Sequence, residues 1–334
     1  MPFIKEILKH KSLAIVGLEK NTGKTECLNY ILKRLENTKN KIAVTSIGVD
    51  GENIDIIHKH SKPEIELYKD IIFSTSEQHY KTKKITSEIL NVSNKKTALG
   101  RLITARAIDT GKVILSGPSD TIWIESWVDE MKKNKVVLSI VDGAFSRFSP
   151  ASPGVTDAMI LNTGATVSAN LKQLVNKTKF IVDLINTDEY KTKIKNKLLS
   201  VNSGVKAIEN NRIKDLQIPS ILMIEKNKDK IFKYGSTIYA PGIITDKLLD
   251  FLRVQKNAKD IKLIAKDFSK LFISINSYAS YLKTGAKLTV LLKPNLIMVC
   301  VNPVSNTGFR FNTKELCEKL EEALKIPVYD VKEI

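Results

Sequence analysis

The stretch SLAIVGLEKNTGKTECLNYILKRL, residues 12–35, constrains the fold more than any other part of the chain. A short apolar run ends at Gly17, five residues intervene before Gly23, and Lys24 and Thr25 open a segment with Leu28, Ile31, Leu32 and Leu35 at helical spacing. A strand that passes through a glycine-containing turn into a helix gathers backbone N–H groups and a helix N-terminus around one point, a geometry suited to phosphate oxygens. In such a loop Gly17, Asn21, Thr22, Gly23 and Glu26 line the ligand, Lys24 reaches the terminal phosphates, and Thr25 offers its hydroxyl to Mg²⁺. A helix cap without a ligand is the plainer alternative. The spacing is one residue longer than GxxxxGK[ST] and puts Leu18 where the first glycine would stand.

The rest of the chain supports an α/β reading. Apolar runs at 12–17, 41–48, 111–117 and 135–143 predict strands, while 25–36 and 98–107 predict amphipathic helices. Strands alternating with helices point to a doubly wound, mostly parallel sheet covered on both faces. Residues 159–165, 179–185 and 220–224 read as further strands. At 334 residues the chain exceeds a single ordinary core, so two domains are expected. The pattern restarts after the Lys/Asn/Asp-rich KNKDK, which places a phosphate-loop domain at 1–225 and a smaller α/β domain at 226–334.

Composition narrows the function classes. The net charge of +17 invites a nucleic-acid reading, but only seven of the 53 basic residues are Arg, and the lysines are interspersed with Asn, Asp and Glu. That pattern favours a solvated Lys-rich surface over a nucleic-acid interface. Cys27, Cys300 and Cys317 are far apart in sequence and odd in number, so no disulfide framework follows and a reduced, cytoplasmic setting is expected. No run approaches the roughly 18 apolar residues of a membrane span, and the N-terminus lacks a secretory pattern.

Two acidic residues are candidates to complete a metal site. Asp142 ends the apolar run VVLSIV, so its carboxylate is expected at the C-terminal edge of a central strand, where open α/β sheets bind ligands. Asp50, in SIGVDGENID, follows the second strand and could take Mg²⁺ or position water; an Asp-Gly turn accounts for it equally well. Ser116 and Gly117, in SGPSDT, suit a substrate or phosphate loop or simply a tight βα turn. Arg147, in the Ser/Pro-rich segment after Asp142, could compensate phosphate charge or stay on the surface. YAPG (239–242) and VNP (301–303) read as turns and as candidates for a binding rim of the C-terminal domain. His58 and His60 have no zinc-type partners in sequence.

Family resemblance extends these readings. The G-x5-GKT spacing is similar to that of dethiobiotin synthetase and the cobyrinic acid diamide synthetases, and SIGVDGENID echoes the GPDYID segment of the latter. The related iron protein of nitrogenase and the division-regulator ATPases carry a signature Lys that reaches across a dimer. Here that position is Glu19, with Lys20 one place later, so a homodimer stays open but a lysine-bridged one does not follow.

IVGLEKNTGKTECLNYIL, VTSIGVDGE, LSGPSDT and IVDGAFSRFSPASPGVTDAMILNTGATVS together resemble the P-loop subunit of the lysine 5,6-aminomutase reactivase of amino-acid-fermenting anaerobes. The resemblance covers motif detail to about residue 180, and length and two-domain layout beyond. It implies ATP and Mg²⁺ as cofactors and Lys24, Asp50 and Asp142 as catalytic residues. Thr25, Asp50 and Asp142 would be metal ligands. As partners it implies a second subunit resembling the MutS ATPases and an adenosylcobalamin-dependent aminomutase, from which the complex releases damaged cobalamin. An ATP-dependent synthetase that activates a small carboxylic acid is the alternative in another class, and a nucleotide-binding assembly subunit without hydrolysis is the third.

Overall fold

The computed structural model describes residues 3–38, 40–47, 64–144, 152 and 154–334. The chain forms two compact units, one made of Met1–Lys179 with Pro294–Ile334 and the other of Phe180–Lys293. The first unit begins with α1 (Ile4–Ile7), β1 (Ser12–Gly17), α2 (Lys24–Leu35), β2 (Ile42–Ser46), β3 (Ile65–Leu67), β4 (Ile72–Ser76) and α3 (Glu77–Lys81). It continues through β5 (Ser87–Thr97), β6 (Gly100–Ala107), β7 (Gly111–Val113), α4 (Thr121–Lys133), β8 (Leu138–Ala144), β9 (Ala158–Gly164) and α5 (Leu171–Ile185). The second unit carries α6 (Lys195–Leu199), β10 (Val205–Glu209), β11 (Arg212–Ile218), α7 (Lys228–Ile231), β12 (Thr237–Ala240) and β13 (Ile244–Thr245). It ends with α8 (Asp246–Arg253), β14 (Lys262–Ala265), β15 (Leu271–Phe272), α9 (Ile275–Lys283) and β16 (Lys287–Val290). The chain then rejoins the first unit as β17 (Asn295–Asn302), α10 (Thr313–Leu324) and β18 (Val328–Tyr329).

Among the described residues the first unit is built on a nine-stranded mixed sheet, ordered β18-β17-β9-β1-β8-β2-β4-β6-β5. The strands from β18 to β4 run parallel, and β6 and β5 close one edge as an antiparallel hairpin. β1, β2, β4 and β9 are buried along their whole lengths, as strands covered on both faces must be. Alternation sorts their side chains between two cores. Ile42 and Val44 of β2 join Leu13, Ile15, Leu138 and Ile140 under Leu28, Ile31 and Leu32 of α2. Ala43 and Val141 meet Trp123, Trp127 and Met131 of α4 in the other core. Each such buried side chain contributes roughly 1.5–3 kcal/mol, so the two helices are held firmly where they leave the sheet. Because the parallel strands share one direction, β1, β8, β9 and β17 all end on the same edge.

The second unit has a smaller mixed sheet, β11-β10-β12-β14-β16, in which β12, β14 and β16 are parallel and β10 is antiparallel to both neighbours. Ile194, Leu198, Ile208, Tyr239, Ile264 and Leu291 form one of its cores.

Several expectations are corrected. The boundary expected at 225 gives way to divisions at 179/180, inside α5, and at 293/294. The run LIMVCV, assigned by sequence to the C-terminal domain, is instead β17 between β9 and β18, where a strand apolar on both faces finds parallel partners. Residues 98–107 are not helical: β6 pairs antiparallel with β5 and β4, and cross-strand pairing outweighs the local pattern. The strand expected at 111–117 is limited to β7, which pairs with β3 outside the large sheet. Residues 179–185 form the end of α5, and 220–224 contain a 3₁₀ turn over Ile221–Met223.

Candidate functional site

The chain crosses from β1 to α2 in the loop Leu18–Gly23. The Leu18 N–H donates to the Asn162 carbonyl at 2.8 Å, and Asn162 Nδ2 donates to the Val16 carbonyl at 3.2 Å, so the loop leaves the sheet tied to β9. It then folds back over Gly17. A Cβ on Gly17 would lie 2.3 Å from Thr22 Oγ1 and 3.0 Å from Lys24 Cγ and Cδ, a closeness only glycine permits. The Thr22 hydroxyl, fully buried, donates to the Glu19 carbonyl at 3.0 Å and pins this turn. Asn21 at φ +61° and Gly23 at φ +89° supply the left-handed steps, and Gly23 caps α2 without a side-chain acceptor. Among the described residues no N-cap side chain takes up the first-turn N–H groups of α2, which suits them to an exogenous acceptor.

Lys24 lies across this loop, with its ammonium 3.5 Å from the Glu19 carbonyl. Burial lowers its pKa, and the charge of Asp142 opposes that shift. Asp142 sits within β8, opposite Ile15 of β1 on one side and Ser46 of β2 on the other. Its backbone carbonyl accepts the Ile47 N–H at 2.9 Å, which holds the end of β2 against it. Loop, ammonium and carboxylate thus lie together towards the C-terminal edge of the central strands.

The structure adds Asn302, at the end of β17. Its Nδ2 donates to the Asn21 carbonyl at 2.9 Å, and its Cβ is 3.2 Å from where a Cβ on Gly23 would stand. Asn302 lies 281 residues from Asn21 and was grouped by sequence with a rim of the other domain. Its signal was visible only as an apolar run, LIMVCV, ending in a polar residue, as VVLSIV ends in Asp142 on β8.

The remaining candidates divide. Thr25 is half-buried in the first turn of α2. Glu26 is exposed there and pairs with Lys332 at 3.6 Å. Ser116 is fully buried, and its Oγ is taken up by Ser76 Oγ at 2.7 Å, His79 Nδ1 at 2.8 Å, the Ser76 N–H at 3.0 Å and Thr75 Oγ1 at 3.1 Å. Those contacts anchor Ser116 to the end of β4. Gly117 is forced by close approach: a Cβ there would stand 1.8 Å from the carbonyl oxygen of Ser46, the neighbour of Asp142. Asp120 caps α4 by accepting the Trp123 N–H at 2.8 Å, a structural role for the SGPSDT segment. Asp50, Arg147, His58 and His60 lie outside the described residues. Among the described residues no cluster of three or more His, Cys, Asp or Glu side chains forms a metal centre, and no helix is long and apolar enough to cross a membrane.

No protein family, curated relative or solved structure matches this chain.

Proposed function

We propose that residues 17–25 are the phosphate-binding loop of a doubly wound nucleotide-binding domain, and that the bound species is the Mg²⁺ complex of ATP. The observation that carries this reading is the convergence of an uncapped α2 N-terminus, a half-buried ammonium on Lys24 and the Asp142 carboxylate on one sheet edge. The donor set fits the group: an ammonium and open N–H groups suit phosphate oxygens, and a hydroxyl with a carboxylate suits a hard divalent cation. Lys24 and the N–H groups of Gly23, Lys24 and Thr25 would hold the phosphates; Thr25 and Asp142 would hold Mg²⁺. When bound, the cation neutralises phosphate charge. The lowered pKa of Lys24 suits a cation whose burial is relieved by an anion. Asn302 steadies the loop by fixing the Asn21 carbonyl.

The chain would act as the P-loop subunit of a reactivating chaperone that releases damaged cobalamin from an adenosylcobalamin-dependent lysine 5,6-aminomutase, working with a MutS-like ATPase subunit. Support for this narrower reading is the motif resemblance over residues 15–168. Nucleotide-dependent ordering around the loop would be passed to the partner proteins, with no small molecule turned over. The test is restoration of activity to a suicide-inactivated aminomutase given fresh adenosylcobalamin, MgATP, this protein and its ATPase partner. Recovery with the parent protein and not with Lys24→Ala supports the reading; equal recovery with Lys24→Ala overturns it.

The G-x5-GKT spacing favours one other reading, an ATP-dependent synthetase. Phosphate release that requires a small carboxylic acid would move that reading ahead. Nucleotide binding without any hydrolysis would point to an assembly subunit.

A further inference from the structure

Cys27 and Cys300 are 273 residues apart in sequence, yet their Sγ atoms are 3.3 Å apart in the core beneath the loop. Each sits one short step from a residue of the candidate site. Cys27 closes the first turn of α2, where its N–H donates to the Gly23 carbonyl at 3.0 Å. Cys300 is two residues before Asn302 on β17, whose side chain holds Asn21 and abuts Gly23. The two sulfurs therefore join the same two elements, α2 and β17, that the Asn302 clamp joins at the loop.

We propose that Cys27 and Cys300 form a reversible disulfide that acts as a redox switch on this loop. The oxidant is a low-molecular-weight disulfide: one cysteine thiolate attacks it, releasing a first thiolate and leaving a mixed disulfide, and the second cysteine thiolate then displaces the other thiolate. Two protons and two electrons leave the protein, and the reagent becomes two thiols. The bond draws the sulfurs from 3.3 Å to about 2.05 Å. A contraction of about 1 Å draws α2 towards β17, where a Cβ on Gly23 would already stand only 3.2 Å from Asn302 Cβ. A loop shifted by that pull would hold phosphate less well in the oxidised protein.

Both sulfurs are buried, Cys27 at 0% and Cys300 at 2% exposure, so the reagent enters only when α2 loosens from the sheet. The contact with Cys27, and then burial, push the Cys300 thiol well above its ordinary pKa, which keeps it unreactive while the core is closed. A ligand that holds the loop closed should therefore protect the pair. Cys317, on α10 and half-buried, is left outside the bond.

The disulfide stands on the packing alone, while its effect on nucleotide rests on the phosphate-loop reading. The experiment treats the full chain with glutathione disulfide, with and without MgATP, and reads intact mass, a non-reducing peptide map and affinity for a fluorescent MgATP analogue. The expected result is a loss of about 2 Da and a Cys27–Cys300 linked peptide. Both should be slowed by MgATP, retained in Cys317→Ser and absent in Cys27→Ser and Cys300→Ser, with affinity falling at least about tenfold and returning on reduction. Failure to form the linked peptide while Cys317 is modified overturns the proposal. A linked protein that binds as tightly as the reduced one overturns the switch. If the reduced protein binds no nucleotide, the phosphate-loop reading falls, and the peptide map still decides the disulfide.

Discussion

Gly17→Ala isolates the close approach on which the loop depends. The added Cβ would stand 2.3 Å from Thr22 Oγ1, about 1 Å inside an ordinary contact, and 3.0 Å from two carbons of Lys24. The Lys24 chain can swing aside. Thr22 cannot, because its hydroxyl is buried and bound at 3.0 Å to the Glu19 carbonyl. Moving it by about 1 Å breaks that hydrogen bond, worth about 1 kcal/mol, and overpacking adds about 1–3 kcal/mol. The expected loss is therefore about 2–4 kcal/mol, a urea midpoint lowered by about 1–2 M at a slope near 2 kcal/mol per molar. The readout is specific to the first unit, since the two tryptophans of the chain, Trp123 and Trp127, both lie on α4 in its core. Tryptophan fluorescence in urea measures the stability, and titration of the native protein with a fluorescent MgATP analogue measures the site. A midpoint within about 0.2 M of the parent, together with unchanged affinity, would refute both the packing argument and the role of the loop.

Lys24→Met should cost at least about a hundredfold in nucleotide affinity through loss of charge-assisted bonds while leaving the first unit as stable as the parent or more so. The sign follows from the lowered pKa of Lys24: the unfolded chain binds its proton more readily, so the lysine opposes folding at neutral pH, and the variant's stability advantage should shrink as pH rises towards 10.5. A parallel pair of urea midpoints at pH 7 and pH 10 checks this. Asn302→Ala removes the bond to the Asn21 carbonyl and should weaken MgATP binding about fivefold, for about 1 kcal/mol of lost positioning; isothermal titration reads it, and an unchanged constant would release Asn302 from the site. Tyr239→Phe removes a buried hydroxyl that finds no hydrogen-bond partner among the described residues, so the second unit should be unchanged or gain about 1 kcal/mol. Amide exchange of β12 and β14 reports it, and faster exchange in the variant would show that the hydroxyl is satisfied.

What the sequence by itself determined is the part whose causes are local. The loop from Gly17 to Thr25 was legible because a strand end, a glycine turn and a helix start lie within a few residues, and their contacts, such as Thr22 to Glu19, span only three. The place of Asp142 was legible because an apolar run ending in a carboxylate in an alternating α/β pattern puts it towards the C-terminal end of a central strand. Tertiary structure alone decided the rest. Residues 98–107 carry a pattern that suits a helix, and their pairing with β4 and β5 made them a strand. The run 296–301 had no local sign of the sheet it would enter; burial on both faces, available only between β9 and β18, drew it back across the intervening unit. That return brought Asn302 to Gly23 and Cys300 to Cys27, contacts that no local pattern could encode because they depend on which strands become neighbours.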